Sequence, residues 1–278
     1  MKILLIICMC FITLSAESFR IEATNLVKKL NEYTILDTRK ASQYKKEHIK
    51  NSLNIPAALT YDNKKNNGEV IAPQNAEKLF RNLGLDIDKA IIIYDDGTFY
   101  DAARLFWTLE VYGFTNVKIL NSGFNEWKKN SYPTSTTTPK ISKSNYIPTI
   151  NNNRLATKFT TQIAIKTPNK IIIDARANPS YIGKLSTAKR FGHIPSATNI
   201  PASHNIDNNK LQPINKLKEI YKNVDKNKKI ILYCTIGRVS SVNYFALREL
   251  GYDVSNYAAS WKEWGNDFNL PITNPSKK

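Results

Sequence analysis

"KIILYCTIGRVSSVNYFALRELGY", residues 229–252, is the stretch whose reading decides the fold. Its opening apolar run does not alternate with polar residues, as expected of a strand buried on both faces. The run passes through Cys234 into a loop bent at Gly237. It then enters a segment whose Val242, Phe245, Ala246 and Leu250 share one helical face, with Gly251 placed for the stop. Strand, loop and helix in that order form the unit of a parallel α/β sheet.

Working outward, the same unit occurs earlier. "AIIIYDDGTFYDAARLFWTLEVYGF" at 90–114 matches it, and "NSGFNEW" at 121–127 matches "AASWKEW" at 258–264. "TILDTRKASQYKKEHIKNSLNIPA" from Thr34 likewise matches "IIIDARANPSYIGKLSTAKRFGHIPSATNIPA" from Ile171. Asp37 precedes Asp95 by 58 positions and Asp174 precedes Cys234 by 60. A chain that repeats itself once in this way holds two homologous domains in tandem. Each is expected to be an α/β domain, a mostly parallel sheet with helices on both faces. The expected boundaries are 17–132 for the first domain and 154–278 for the second. The polar, Pro- and Thr-rich segment 133–153 is read as a linker.

Residues 1–16 read as a secretory signal peptide, with Lys2, an apolar run from Ile3 to Leu14, and small residues at Ser15 and Ala16. Cleavage after Ala16 predicts a periplasmic or secreted protein with no membrane attachment. Cys8 and Cys10 would leave with the signal, so Cys234 has no partner for an intrachain disulfide. The formal charge of +17 is spread as single and paired lysines, without a basic run interleaved with aromatics. That distribution argues against nucleic acid as a partner and for attraction of small anions. A monomer is expected.

Cys234 stands at the C-terminal end of a strand and before a helix, the edge where open α/β sheets bind ligands. Backbone N–H groups of a loop bent at Gly237 can form an anion nest, Ser240 or Ser241 can cap the helix, and Arg238 adds charge. Such surroundings favour a reactive thiolate over a buried filler. A phosphatase of the Cys-x5-Arg kind needs an arginine where Ser240 stands. The three histidines lie in no protease context, and no second cysteine permits dithiol exchange. Nucleophilic attack on a sulfur donor remains, and it needs neither metal nor cofactor.

In "DAR", "YIGK", "RFGHIPSATNIPA", "YCTIGRVSS" and "YAASWKEWG", the chain resembles the two-domain rhodanese-type sulfurtransferases. The resemblance covers nearly all of the chain beyond the signal. It implies that Cys234 is catalytic and becomes a persulfide held by the loop Thr235, Ile236, Gly237, Arg238, Val239 and Ser240. It also implies a non-catalytic first domain, with Asp95 at the equivalent place serving as a loop cap. The arginine that family members often carry before Tyr-x-Gly is Ser180 here, leaving Arg190 and Arg238 as candidate anion ligands. Asp174 and Arg176 are expected to brace the loop, His193 to be structural, and Trp261 and Trp264 to pack the core and the domain interface. The implied partners are a small anionic donor, thiosulfate or alternatively 3-mercaptopyruvate, and a cyanide or thiol acceptor. The rival from another class is a non-enzymatic relay that hands its sulfur to a protein.

Overall fold

The computed structural model describes residues 18–62 and 67–277. The proposed signal peptide lies outside them. Two five-stranded sheets are present, all of whose pairings are parallel. The first has the spatial order Arg20–Ile21, Val117–Leu120, Ile91–Tyr94, Thr34–Asp37, Leu53–Asn54. The second repeats it as Leu155–Ala156, Val254–Tyr257, Lys229–Tyr233, Lys170–Asp174, Thr198–Asn199. The middle strands are the two apolar runs, and Ile91–Tyr94 is buried at every position. In register, Tyr94 lies beside Asp37 and Tyr233 beside Asp174. Asp95 and Cys234 are therefore the first residues past the same edge of equivalent sheets.

The helices that follow, Tyr100–Val111 and Ser240–Glu249, pack against each other across the domain boundary. Residues 102–111 and 240–247 are all buried, well beyond the single face expected for the second helix. Each helix has a sheet on one side and the other helix opposite, and that arrangement needs apolar residues nearly all round. Phe245 meets Phe99 at 5.2 Å and Phe106 at 4.8 Å between ring centroids, both edge-on. Rings in that geometry add about 0.5–1.5 kcal/mol to the area they bury. At the far end, Arg248 forks onto the Glu110 carboxylate, which also accepts the Tyr244 hydroxyl at 2.5 Å. The two domains thus share one apolar core.

The segment read as a linker is attached to the first domain. Thr134–Ser135 pairs antiparallel with His48–Ile49, and Tyr146 is buried against Phe80 and Phe114, its hydroxyl donating to the Tyr112 carbonyl at 2.7 Å. Trp261 and Trp264 pack within the second domain, in a cluster apart from the shared core; interdomain packing falls instead to Phe99, Phe106 and Phe245.

Candidate active site

Cys234 is buried, with its N–H donating to Ser260 Oγ at 3.0 Å. The carbonyls that follow are pulled back into the domain. Cys234 O accepts Trp261 N and Thr235 O accepts Lys262 N, each at 3.0 Å. Gly237 O accepts Ser241 Oγ at 2.8 Å and Arg104 Nη1 at 3.3 Å. Because a trans peptide points its N–H opposite to its carbonyl, these anchors turn the amides of Thr235, Ile236 and Arg238 the other way. None of the N–H groups of residues 235–240 has a hydrogen-bond partner among the described residues. Gly237 sits at φ +70°, and a Cβ there would lie 2.7 Å from Ala258 Cα; only glycine fits. The helix Ser240–Glu249 begins where the loop ends and adds its positive dipole end.

The first domain supplies the control. Asp95 occupies the place of Cys234, and its carboxylate accepts Gly97 N at 2.8 Å, Ala102 N at 3.4 Å and Thr98 Oγ1 at 3.4 Å. Asp96 Oδ1 takes Thr98 N at 3.1 Å. There, the chain's own carboxylates occupy the amides of Gly97, Thr98 and Ala102. Burial pushes the Asp95 carboxyl up to about 6, against the pull of those N–H groups.

Beneath each loop lies the same brace. Arg176 forks onto Asp174, Nη2 to Oδ2 at 2.6 Å and Nε to Oδ1 at 3.0 Å, while Tyr233 Oη donates to Asp174 Oδ2 at 2.7 Å. Arg176 Nη2 also reaches Gly192 O at 2.8 Å, and its guanidinium lies over the Trp261 ring. Asp37, Arg39 and Tyr94 repeat the arrangement in the first domain. Deep burial drives the Tyr233 hydroxyl well above its ordinary value, so it remains a donor. His193 stacks on Tyr181 and bonds the Tyr181 carbonyl through Nδ1 at 2.8 Å; burial holds its ring below the ordinary histidine value.

The first domain also closes over the second domain's loop. A cavity of about 820 Å³ is lined by Arg39, Tyr61, Asp95 and Asp101 from one domain and Ile236 and Arg238 from the other. Arg238 Nε donates to Asp101 Oδ1 at 2.5 Å. Gly68 packs so tightly that a Cβ on it would stand 2.4 Å from the Ile236 carbonyl oxygen. Arg104, from the middle of the helix Tyr100–Val111, is fully buried and reaches across to Gly237 O.

A family model for the rhodanese-like domain matches residues 22–130 and again residues 160–267. The chain belongs to the rhodanese-like family. As a rhodanese it is a sulfurtransferase. A protein of Haloferax volcanii that carries the provisional name thiosulfate sulfurtransferase is 30% identical over 219 residues, covering 73% of this chain and 76% of its own. The sulfur carrier protein TtuD of Thermus thermophilus is 30% identical over 221 residues, covering 73% and 78%. The crystal structure of SseA from Escherichia coli, described as a 3-mercaptopyruvate sulfotransferase, superposes with a TM-score of 0.80 over 88% of this chain and 99% of that one, at 24% identity. That last likeness is one of fold.

Within this rhodanese, the sequence-derived site residues divide. Cys234, Thr235, Ile236, Gly237, Val239 and Ser240 form the loop, and Asp174 with Arg176 lies beneath it. Arg238 faces the cavity already paired to Asp101. Arg190 is a correction: its guanidinium donates to the carbonyls of Leu270 and Trp264, each at 2.7 Å, and to those of Gly265 and Asp267. It fastens the C-terminal segment, and its fork is not available to an anion. Neither serine caps the helix: Ser240 Oγ donates to Asn256 Oδ1, Ser241 Oγ to Gly237 O, and the N-cap position is Val239. Arg104, Tyr61 and Ser260 were not read from the sequence. Arg104 and Glu110 are the two charges inside the apolar run "AARLFWTLEV", and that was the available signal for Arg104, since charged residues are almost never fully buried unless paired.

Proposed function

We propose that this rhodanese transfers sulfane sulfur from thiosulfate to a cyanide or thiol acceptor through a persulfide on Cys234. The thiolate attacks the outer sulfur of thiosulfate and forms a new S–S bond. The old S–S bond breaks, and sulfite leaves with its electron pair. The charge left on the terminal sulfur lies within the loop amides, which act as preorganised donors. An acceptor nucleophile then takes that sulfur and returns the Cys234 thiolate.

The observation that carries this reading is the contrast between the loops: amides 235–240 are unpartnered around a thiol, whereas in the first domain the Gly97 and Thr98 amides are bonded to the carboxylates of Asp95 and Asp96. A donor held by backbone N–H groups suits thiosulfate. A carboxylate-bearing donor such as 3-mercaptopyruvate calls for an arginine fork, and Arg190 is engaged by carbonyls while Arg238 lies on Asp101. The signal-like N-terminus supports placing the protein outside the cytoplasm, in the periplasm or secreted.

The test is direct. Thiosulfate without acceptor should leave the protein one sulfur atom heavier, and cyanide should remove that mass and yield an equal amount of thiocyanate. Cys234→Ser must lose both. Turnover of 3-mercaptopyruvate but not thiosulfate would reassign the donor, and persulfide discharge only to a protein acceptor would favour the relay.

A further inference from the structure

Arg104 belongs to the domain without a nucleophile, yet it touches the loop that carries one. Its donors are satisfied by neutral groups: Nε by Thr60 Oγ1 at 3.3 Å, and Nη2 by the carbonyls of Thr60 at 3.2 Å and Gly68 at 3.1 Å. Nη1 goes to Gly237 O. The rings of Tyr61 and Trp107 cover the guanidinium at 4.1 and 4.6 Å. No carboxylate lies within ion-pair distance of it among the described residues. Carbonyls complete the hydrogen bonds of a buried cation but bring no net charge, and such a cation is costly to keep unless an anion faces it.

The candidates for that anion can be sorted. Asp101 is committed to Arg238. Tyr61 has a buried hydroxyl with no hydrogen-bond partner among the described residues, and burial pushes it above its ordinary value, so it stays neutral. Cys234 remains: Arg104 Nη1 is held on the Gly237 carbonyl of the Cys234 loop at 3.3 Å and stands 2.8 Å from where a Cβ on Gly237 would lie. We propose that Arg104 is the fixed counter-cation of the Cys234 site, a positioning residue that holds the loop through the Gly237 carbonyl and sets the positive field felt by the thiolate, its persulfide and an incoming anion. This rests on the sulfurtransferase reading of Cys234. It assigns the first domain a part in the second domain's site.

The experiment compares two reagents of nearly the same size, anionic iodoacetate and neutral iodoacetamide, on the full-length protein. Modification at Cys234 is followed by mass spectrometry of its peptide. A change in loop structure or access moves both rates together, whereas a lost charge moves their ratio. In Arg104→Gln the iodoacetate to iodoacetamide ratio should fall on the order of tenfold. Arg104→Lys, which keeps the charge but not the fork, should retain the ratio while losing thiosulfate turnover. An unchanged ratio in a folded glutamine variant overturns the proposal. Should that variant fail to fold, the parent decides: its ratio must exceed that of a small free thiol, and a value at or below it is equally fatal. Normal reagent selectivity without persulfide formation in the parent would instead count against the sulfurtransferase reading and leave the counter-cation standing.

Discussion

Asp95→Asn isolates what the first domain's loop costs to maintain. Asp95 is buried, and burial raises its carboxyl from 3.8 to about 6 despite three hydrogen bonds to its oxygens. A group whose folded value is raised binds its proton more tightly when folded. Its contribution to stability is therefore complete below pH 3.8 and is lost as pH rises through about 6. At about 1.4 kcal/mol per pH unit, ionised Asp95 destabilises the fold at neutral pH by roughly 3 kcal/mol. Asparagine removes that charge and can still accept from Gly97 N. It turns an NH2 toward Ala102 N, forfeiting about 1 kcal/mol of hydrogen bonding. The variant should then be more stable than the parent by about 2 kcal/mol at pH 8. It should be level or slightly weaker at pH 4, with the change centred between those values. Urea unfolding of both proteins at one-unit steps from about pH 4 to pH 8 reads this directly. A difference that does not vary with pH, or a variant weaker at pH 8, would refute the account of the loop. Turnover should persist, because Asp95 lies in the loop without a nucleophile.

Two further outcomes test the site. Asp101→Asn frees the half-exposed Arg238, and the KM for thiosulfate should fall by about two- to fivefold at low salt, with the gain fading as salt is added; an unchanged or higher KM would mean that Arg238 does not meet the donor. Arg190→Gln should lower stability by about 2–3 kcal/mol through the lost carbonyl bonds. Its KM for thiosulfate should stay at the parent value, and a raised KM would return Arg190 to the anion-binding set.

The sheets were legible because their central strands are uninterrupted apolar runs, and the repeat alone set Asp95 opposite Cys234. The brace was half legible. Asp-x-Arg is visible in both copies, but the tyrosine that completes it precedes the loop residue in each and reads as one more strand residue. Arg190 was misread because a position beside "GHIP" says nothing about the direction of a long side chain, and the nearest acceptors turned out to be C-terminal carbonyls. The serines were misread because Asn256 and the Gly237 carbonyl outcompete the helix amides for them. The part that Arg104 and Tyr61 play at the site was not legible for a different reason. Arg104 is held mostly by its own repeat, but its tie to the site is the Gly237 carbonyl of the other, and docking between domains leaves no periodicity in either.

The shared helix pair also bears on how the chain is made. Residues 102–111 are buried in the finished protein, partly by a helix that starts at Ser240. During synthesis the first half emerges about 130 residues ahead of its cover, on the order of ten seconds at typical elongation rates. Throughout that interval Phe106 has no Phe245 against it, Glu110 has no Arg248, and Arg104 lacks the Gly237 carbonyl. The nascent first half is thus an adhesive intermediate, and two such halves on neighbouring ribosomes present each other with matching surfaces. Slower translation of the second half prolongs that exposure, so yield in the cell should respond to synonymous codon choice after the linker even though the finished protein is identical.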